Sequence, residues 1–214
     1  MKIALLLVLS FAARTLHAAP LELSCPAESE KEQVRIRNKA PGVVARKGKH
    51  VLQVTTKAGV LTYKDKPPYD DPMDGVHYTF CDRKEGYILV QHNETSLSGK
   101  LINEATGVVT NGGQSVIFSD DRRAYFADEQ QDGRDGSDWT IYTADGKKSW
   151  SGVSVLESGK PAAMYAFLEA PTWLPSGELA ATAYCINEES RKWQVKLVKK
   201  NNTWDWTPRK QCPK

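Results

Sequence analysis

The sequence predicts an all-β fold made of antiparallel four-stranded units and tied by two disulfides. From Val51 onward, short apolar segments alternate with turns rich in Gly, Asp and Asn, and helical periodicity is nearly absent. A strand–turn–strand pattern recurs along the chain, and an even number of cysteines follows an export leader. Together these observations favour one β-rich domain over residues 19–214.

Residues 1–18 have the features of a signal peptide. Lys2 supplies a positive start, residues 3–13 form an apolar run, and residues 16–18 (Leu-His-Ala) make an acceptable cleavage site. The run is shorter than the roughly 20 apolar residues that a membrane-spanning helix needs. We therefore predict cleavage, no membrane span, and a periplasmic or secreted protein.

The charge of the remaining chain is balanced. Lys2 and Arg14 belong to the leader, so 27 basic and 26 acidic residues remain. A nucleic-acid-binding domain would instead show clustered Lys and Arg, so no nucleic-acid partner is expected. The contents of charged residues (26%) and apolar residues (40%) are typical of a soluble domain.

All four cysteines, Cys25, Cys81, Cys185 and Cys212, follow the leader. In an oxidising compartment this even number predicts two disulfides. The short separation favours Cys185–Cys212, which leaves Cys25–Cys81, while a Cys25–Cys212 bond between the two ends is the rival pairing. The absence of a CxxC spacing argues against a zinc or redox site.

Two hairpins are predicted in the first half of the chain. Residues 51–55 and 60–63 flank a glycine turn, and residues 77–80 and 87–90 flank a second turn. The charged segment 28–40 is compatible with a short helix or a loop.

An internal repeat organises the second half. Phe118 and Trp173 begin two similar segments 55 residues apart, and Trp139 and Trp193 follow in them at a spacing of 54. A weaker third copy begins at Phe80, 38 residues before the second. Each copy predicts four short strands, and about 40 residues is the size of a propeller blade.

The turns of these copies resemble those of TolB-type (WD40-like) β-propeller repeats. The resemblance covers roughly residues 78–206 and rests on Trp-Leu-Pro-Ser-Gly at 173–177 and Ile-Tyr-Thr-Ala-Asp-Gly at 141–146. It implies a small propeller-like fold and a role in envelope assembly, with a β-sandwich as the alternative architecture. Three residues depart from the family pattern: Asp120 stands for Pro, Arg122 for Gly and Ser176 for Asp.

The segment 128–138 is an acidic loop with five carboxylates and two glycines. Asp132, Asp135 and Asp138 recur every three residues and are candidate Ca²⁺ ligands, although no EF-hand pattern is present. The alternative is a solvated hairpin loop that presents its charge to a partner. The predicted partner contacts in this loop are Asp128, Glu129, Asp132, Arg134 and Asp135.

A second acidic loop spans residues 64–74. Asp70, Asp71 and Asp74 are predicted partner contacts there. The same residues could bind a cation or act as paired carboxylates, which glycosidase chemistry requires at a defined separation.

Tryptophan is frequent, with six residues in the chain. Trp139, Trp173 and Trp193 recur at repeat positions, which predicts packing between sheets. Trp204 and Trp206 are two residues apart and share one face of a strand, so both are predicted to be buried or both to belong to a binding patch.

No catalytic signature is present. The sequence contains no G-x-S-x-G elbow, P-loop or dinucleotide fingerprint, and His50, His77 and His92 show no metal-binding spacing. We therefore expect a non-enzymatic, exported protein-binding domain without a cofactor, most concretely an inhibitor or immunity-type protein that blocks a toxin or a hydrolase. The alternative is a carbohydrate-binding or Ca²⁺-dependent hydrolytic β-protein.

Overall fold

A computed structural model of the chain describes residues 20–26, 31–70, 74–94, 97–129, 136–156 and 166–212. The predicted signal peptide lies outside these residues and stays a prediction. Within the described part of the chain, no helix is long and apolar enough to cross a membrane.

The described residues form one helix and four antiparallel sheets, which confirms the all-β prediction. Sheet 1 has the order β2-β3-β4, and sheet 2 the order β5-β6-β7-β8. Sheet 3 is β1-β9-β10-β11-β12, and sheet 4 is β13-β14-β15-β16-β17. The bounds are β1 (Glu22–Ser24), α1 (Glu32–Lys39), β2 (Val44–Arg46), β3 (Val51–Thr56), β4 (Gly59–Lys64), β5 (His77–Lys84), β6 (Tyr87–Asn93), β7 (Leu97–Asn103), β8 (Val109–Gly112), β9 (Ser115–Phe118), β10 (Ala124–Glu129), β11 (Asp138–Thr143), β12 (Lys148–Val153), β13 (Val155–Leu156), β14 (Ala166–Trp173), β15 (Leu179–Cys185), β16 (Glu188–Lys200) and β17 (Thr203–Thr207).

The predicted four-stranded units are present as meanders. Strands β5–β8, β9–β12 and β14–β17 each run up and down in chain order. Phe118 ends β9 and Trp173 ends β14, so the stronger repeat copies begin at equivalent positions. Phe80 lies in the middle of β5, four residues before its end, so the third copy is shifted in register.

The turn after β9 keeps the repeat geometry without its glycine. The Arg122 amide donates to the Ser119 carbonyl at 2.9 Å, as the Gly177 amide does to the Leu174 carbonyl at 2.8 Å. Arg122 has φ +58° and Gly177 has φ +84°. Arg122 therefore adopts the left-handed conformation that glycine reaches without steric cost.

Each sheet packs face to face on the next through a buried apolar cluster. One cluster joins sheets 1 and 2, and a second joins sheets 2 and 3 and includes residues of β1. A third cluster joins sheets 3 and 4. Among the described residues, no such cluster joins sheet 1 to sheet 4. The outer face of sheet 4 carries exposed ion pairs instead, such as Lys192–Glu169 at 2.7 Å. The sheets therefore form an open, propeller-like stack.

Both predicted disulfides are present, in the favoured pairing. Cys25–Cys81 links the segment after β1 to β5, and Cys185–Cys212 links the end of β15 to the C-terminal segment. The first bond therefore fastens a strand of sheet 3 to sheet 2. The second holds the chain after β17 against sheet 4.

The charged segment 28–40 contains a helix, α1, that docks on the first two sheets. Buried Arg35 donates from Nε and Nη2 to the Phe80 carbonyl at 3.1 and 2.9 Å. Glu32 accepts from the Phe80 amide at 2.6 Å and pairs with Arg46 at 2.7 Å. These bonds compensate the burial of charge between α1, β2 and β5.

Candidate functional site: the loop end of the sheets

The strand connections divide the stack of sheets into two ends. The Lys57 amide donates to the Glu104 carbonyl at 2.8 Å, joining short turns of sheets 1 and 2. Arg122 Nη2 bonds Glu85 Oε2 at 2.9 Å, joining short turns of sheets 2 and 3. We call this the turn end. Since antiparallel strands alternate in direction, the connections β4–β5, β6–β7 and β10–β11 leave from the opposite end, which we call the loop end.

Both acidic loops leave from the loop end. The first follows β4 and precedes β5, and the second follows β10 and precedes β11. Asp70 and Asp74 are exposed, whereas Asp128, Glu129 and Asp138 are half-buried. The remaining predicted loop residues lie outside the described part of the chain: Asp71, Asp132, Arg134 and Asp135.

An exposed aromatic residue accompanies the first acidic loop. Tyr69 is 47% exposed and stacks on His50, with ring centroids 3.8 Å apart. Asp65, at the start of the same loop, is nearly buried and accepts a hydrogen bond from the Tyr78 amide at 3.0 Å. The base of the loop is thus fixed to β5, while Tyr69 and Asp70 face solvent.

Negative charge is concentrated at the mouth of the second acidic loop. Glu129 and Asp138 are directly opposite each other in the β10–β11 ladder. Burial raises the pKa of Glu129, and the charge of Asp138 raises it further, while Lys148 and Lys100 partly oppose the shift. Like charges directly opposite on paired strands are destabilising.

Asp128 adds a second poorly solvated carboxylate. Burial raises its pKa, against hydrogen bonds from Ser137 and Trp139 that lower it. Its Oδ1 atom is buried and has no hydrogen-bond partner among the described residues. This mouth is therefore suited to receive cationic groups, which would compensate Asp128 on one face of β10 and Glu129 on the other.

The Ca²⁺ prediction falls largely outside the described residues. Asp138 is described, but Asp132 and Asp135 are not. Among the described residues, no group of three or more His, Cys, Asp or Glu side chains is arranged to hold a metal ion. The calcium interpretation stays a prediction.

The tryptophans divide between core and surface. Trp139 and Trp193 are 2% and 6% exposed, as predicted for packing between sheets. Half-buried Trp173 donates from Nε1 to the Ile117 carbonyl at 2.9 Å, bridging sheets 4 and 3. Trp206 is 5% exposed and packs edge-on against Trp139 at 5.9 Å, so it is a core residue and offers little binding surface.

Trp204 differs from Trp206 in exposure and in position. It is half-buried, and Lys199 Nζ lies 5.8 Å from its ring centroid. It follows the turn at residues 201–202, on the same side of sheet 4 as the turn at 174–178 and thus at the turn end. The structure therefore brings the two acidic loops to one end but does not bring Trp204 to them.

A cleft between sheets 1 and 2 is a feature that the sequence did not indicate. It has a volume of about 300 Å³ and is lined by Leu61, Thr62, Tyr63, Lys100, Val109, Thr110 and Asn111. We call it the inter-sheet cleft. Beside it, Tyr63 packs on Tyr78 at 5.1 Å, and Tyr78 packs on His92 at 4.8 Å.

The polar groups of this region are desolvated. Burial raises the pKa of Tyr63 to about 12, with a smaller contribution from Tyr78. Burial lowers the pKa of His92, although Glu94 lies 3.6 Å from its Nε2 atom and acts in the opposite direction. At neutral pH the Tyr63 phenol is therefore protonated, and the His92 ring is neutral.

Comparison with family models, with curated proteins and with solved structures found no match for this chain.

Proposed function

We propose that this chain is an exported, non-enzymatic protein-binding domain of the inhibitor or immunity type, which blocks a toxin or a hydrolase in the periplasm or outside the cell. The observation that carries the proposal is the common position of the two acidic loops. Both leave from the loop end of a disulfide-tied stack of sheets. Loops held by a rigid scaffold are a frequent location for binding residues.

The electrostatics of the loop end favour a basic partner. Asp128 and Glu129 are half-buried and carry raised pKa values, so their ionised forms are poorly compensated in the free protein. An Arg or Lys of a partner that reaches this mouth would gain a charge-assisted hydrogen bond at little extra desolvation cost. We expect association to weaken as salt concentration rises, because exposed Asp70 and Asp74 add longer-range attraction.

The experiment compares two double variants that each remove two negative charges. Glu129→Gln/Asp138→Asn alters the loop end, whereas Glu85→Gln/Asp120→Asn alters exposed residues of the turn end. Each mature protein is immobilised and exposed to the periplasmic or secreted fraction at low salt, and retained proteins are identified and assayed as purified enzymes or toxins.

We expect a basic partner to be retained by the wild type and by the turn-end variant, and its activity to fall stoichiometrically. Retention by the loop-end variant should be at least tenfold weaker. Equal retention by the two variants would refute the position of the interface. If no retained protein loses activity when the domain is added, inhibition itself is refuted.

A Ca²⁺-dependent carbohydrate-binding or hydrolytic protein is the second candidate. It is favoured by the direct pairing of Glu129 with Asp138 at the base of the loop that carries Asp132 and Asp135. A thermal melt in CaCl₂ and in EGTA tests it. A Ca²⁺-dependent rise in Tm that disappears in Asp132→Asn/Asp135→Asn/Asp138→Asn supports this candidate, and an unchanged wild-type Tm rules out the metal.

A further inference from the structure

The inter-sheet cleft begins where the apolar core between sheets 1 and 2 ends. Lys100 on β7 is opposite Val90 on β6 and Asn111 on β8. Val90 and Ile102 are fully buried in the core shared with sheet 1. Since Lys100 is two residues from Ile102 on the same strand, it faces sheet 1 as well. A lysine thus occupies an inward-facing position beside the buried apolar residues Val90 and Ile102, with polar Asn111 on its other side.

The ammonium group of Lys100 makes no direct bond to a described carboxylate, although its charge acts on Glu129 across a longer distance. The residue is half-buried, and no described residue forms a hydrogen bond or an ion pair with it. Its charge nevertheless acts on the cleft, because it contributes to lowering the pKa of His92, as Lys66 also does. Removing an ammonium from bulk water without a directly bonded counter-charge is unfavourable, so this position is suited to an anion.

The rest of the lining defines the kind of anion. Leu61 and the 39% exposed Val109 provide an apolar surface, while the protonated Tyr63 phenol and Thr62 provide hydrogen-bonding groups. A volume of about 300 Å³ is at the lower limit of ligand pockets. One lysine in the lining, with Glu94 close to His92, suits a singly charged ligand better than a doubly charged one.

We propose that the inter-sheet cleft binds a small organic carboxylate, whose carboxyl group pairs with Lys100 and whose apolar part lies on Leu61 and Val109. The ligand has the size of an amino acid or a monosaccharide acid. None of the residues that line this cleft belongs to the proposed interface, although the charge of Lys100 also acts on Glu129. Tyr63→Phe leaves that charge in place, so failure of this proposal can be distinguished from failure of the proposed interface.

The test uses small carboxylates paired with their uncharged counterparts. Phenylacetate and phenylacetamide, and glucuronate and glucose, are titrated into the mature protein at pH 7 and low salt, with binding followed by NMR shifts of the cleft residues. We expect saturable binding of at least one carboxylate and at least tenfold weaker binding of its neutral counterpart. Lys100→Met should weaken that binding at least tenfold, and Lys84→Met, an exposed lysine at the turn end, should leave it unchanged.

One further variant and one further ligand complete the test. Tyr63→Phe keeps the aromatic ring and removes the hydroxyl group. It should weaken carboxylate binding severalfold with little change in Tm. This variant therefore tests the proposal even if Lys100→Met alters folding. A blocked peptide that contains glutamate distinguishes the source of the carboxylate. Binding of the peptide alone, absence of saturable binding, or equal affinities of the wild type and Lys100→Met would each overturn the proposal.

Discussion

Neutralising Glu129 should stabilise the protein at neutral pH, although removal of a charged side chain from a native protein usually destabilises it. Glu129 is directly opposite Asp138, and both burial and that neighbouring charge raise its pKa. Directly opposed like charges on paired strands cost about 0.2–1 kcal/mol. The variant Glu129→Gln should therefore be more stable by that amount, which corresponds to a rise in Tm of roughly 0.4–4 °C for a domain of this size.

The pH dependence fixes the sign of this effect. A carboxyl group whose pKa is raised on folding destabilises the folded state when it is ionised, and the penalty disappears as pH falls. Well below the ordinary Glu value of 4.5, Glu129 is protonated in both the folded and the unfolded states. The advantage of Glu129→Gln should thus be present at pH 7 and absent near pH 3.5.

Urea denaturation at the two pH values measures the effect, and a double-mutant cycle with Asp138→Asn isolates the pairwise interaction. Glu178→Gln is a control of opposite sign, because hydrogen bonds from Ser176 and Lys196 lower the pKa of Glu178. That control should be less stable than the wild type at pH 7. A Glu129→Gln protein that loses stability at pH 7, or that keeps its advantage at pH 3.5, would show that the mouth of the loop is not under electrostatic strain.

Two other predictions concern the scaffold. Gly146→Ala should destabilise the protein more than Gly177→Ala by about 1–3 kcal/mol in urea denaturation. Both glycines have positive φ, so the backbone cost is shared. A Cβ at position 146 would lie 2.5 Å from Thr110 Cγ2, whereas a Cβ at position 177 meets nothing within 4 Å. Equal losses would mean that sheets 2 and 3 are not in close contact at this turn. Replacing either cysteine pair by alanine should cost about 4 kcal/mol, with Cys25–Cys81 costing roughly 0.6 kcal/mol more than Cys185–Cys212, because the separations are 56 and 27 residues. The denaturation midpoints of the two double variants check this order, and the reverse order would contradict the loop-closure argument.

Local features of this fold could be predicted because local residues determine them. The turns near Ser119 and Leu174 follow from short polar or glycine-containing segments between apolar strands, and they form in both copies. Arg122 shows the limit of this inference. The sequence alone does not reveal that the turn keeps its left-handed residue when glycine is replaced, because the surrounding hydrogen bonds determine that conformation.

Features that depend on which sheets face each other could not be predicted. The repeat predicts that Phe80 begins a copy, yet it lies inside β5, where α1 holds its amide and carbonyl groups. Trp206 shares the alternation of Trp204 but is buried, because Trp139 and Trp150 of sheet 3 pack against it. Lys100 had no signal in the sequence, since the residues that form its cleft come from separate sheets.

The two ends of the sheets differ in how well their carboxylates are compensated. At the turn end, Asp121 and Asp145 accept hydrogen bonds from their own turns, and these bonds lower the pKa of both carboxyl groups. At the loop end, Asp128 and Glu129 have raised pKa values and lack comparable compensation. Carboxylates in one chain thus stabilise the fold at one end and strain it at the other. Strain of this kind persists in proteins where a binding site requires it, and it is relieved when a partner supplies the missing charge. The loop end is therefore where a binding partner would stabilise the protein most, and partner binding and Glu129→Gln should raise Tm by overlapping rather than additive amounts.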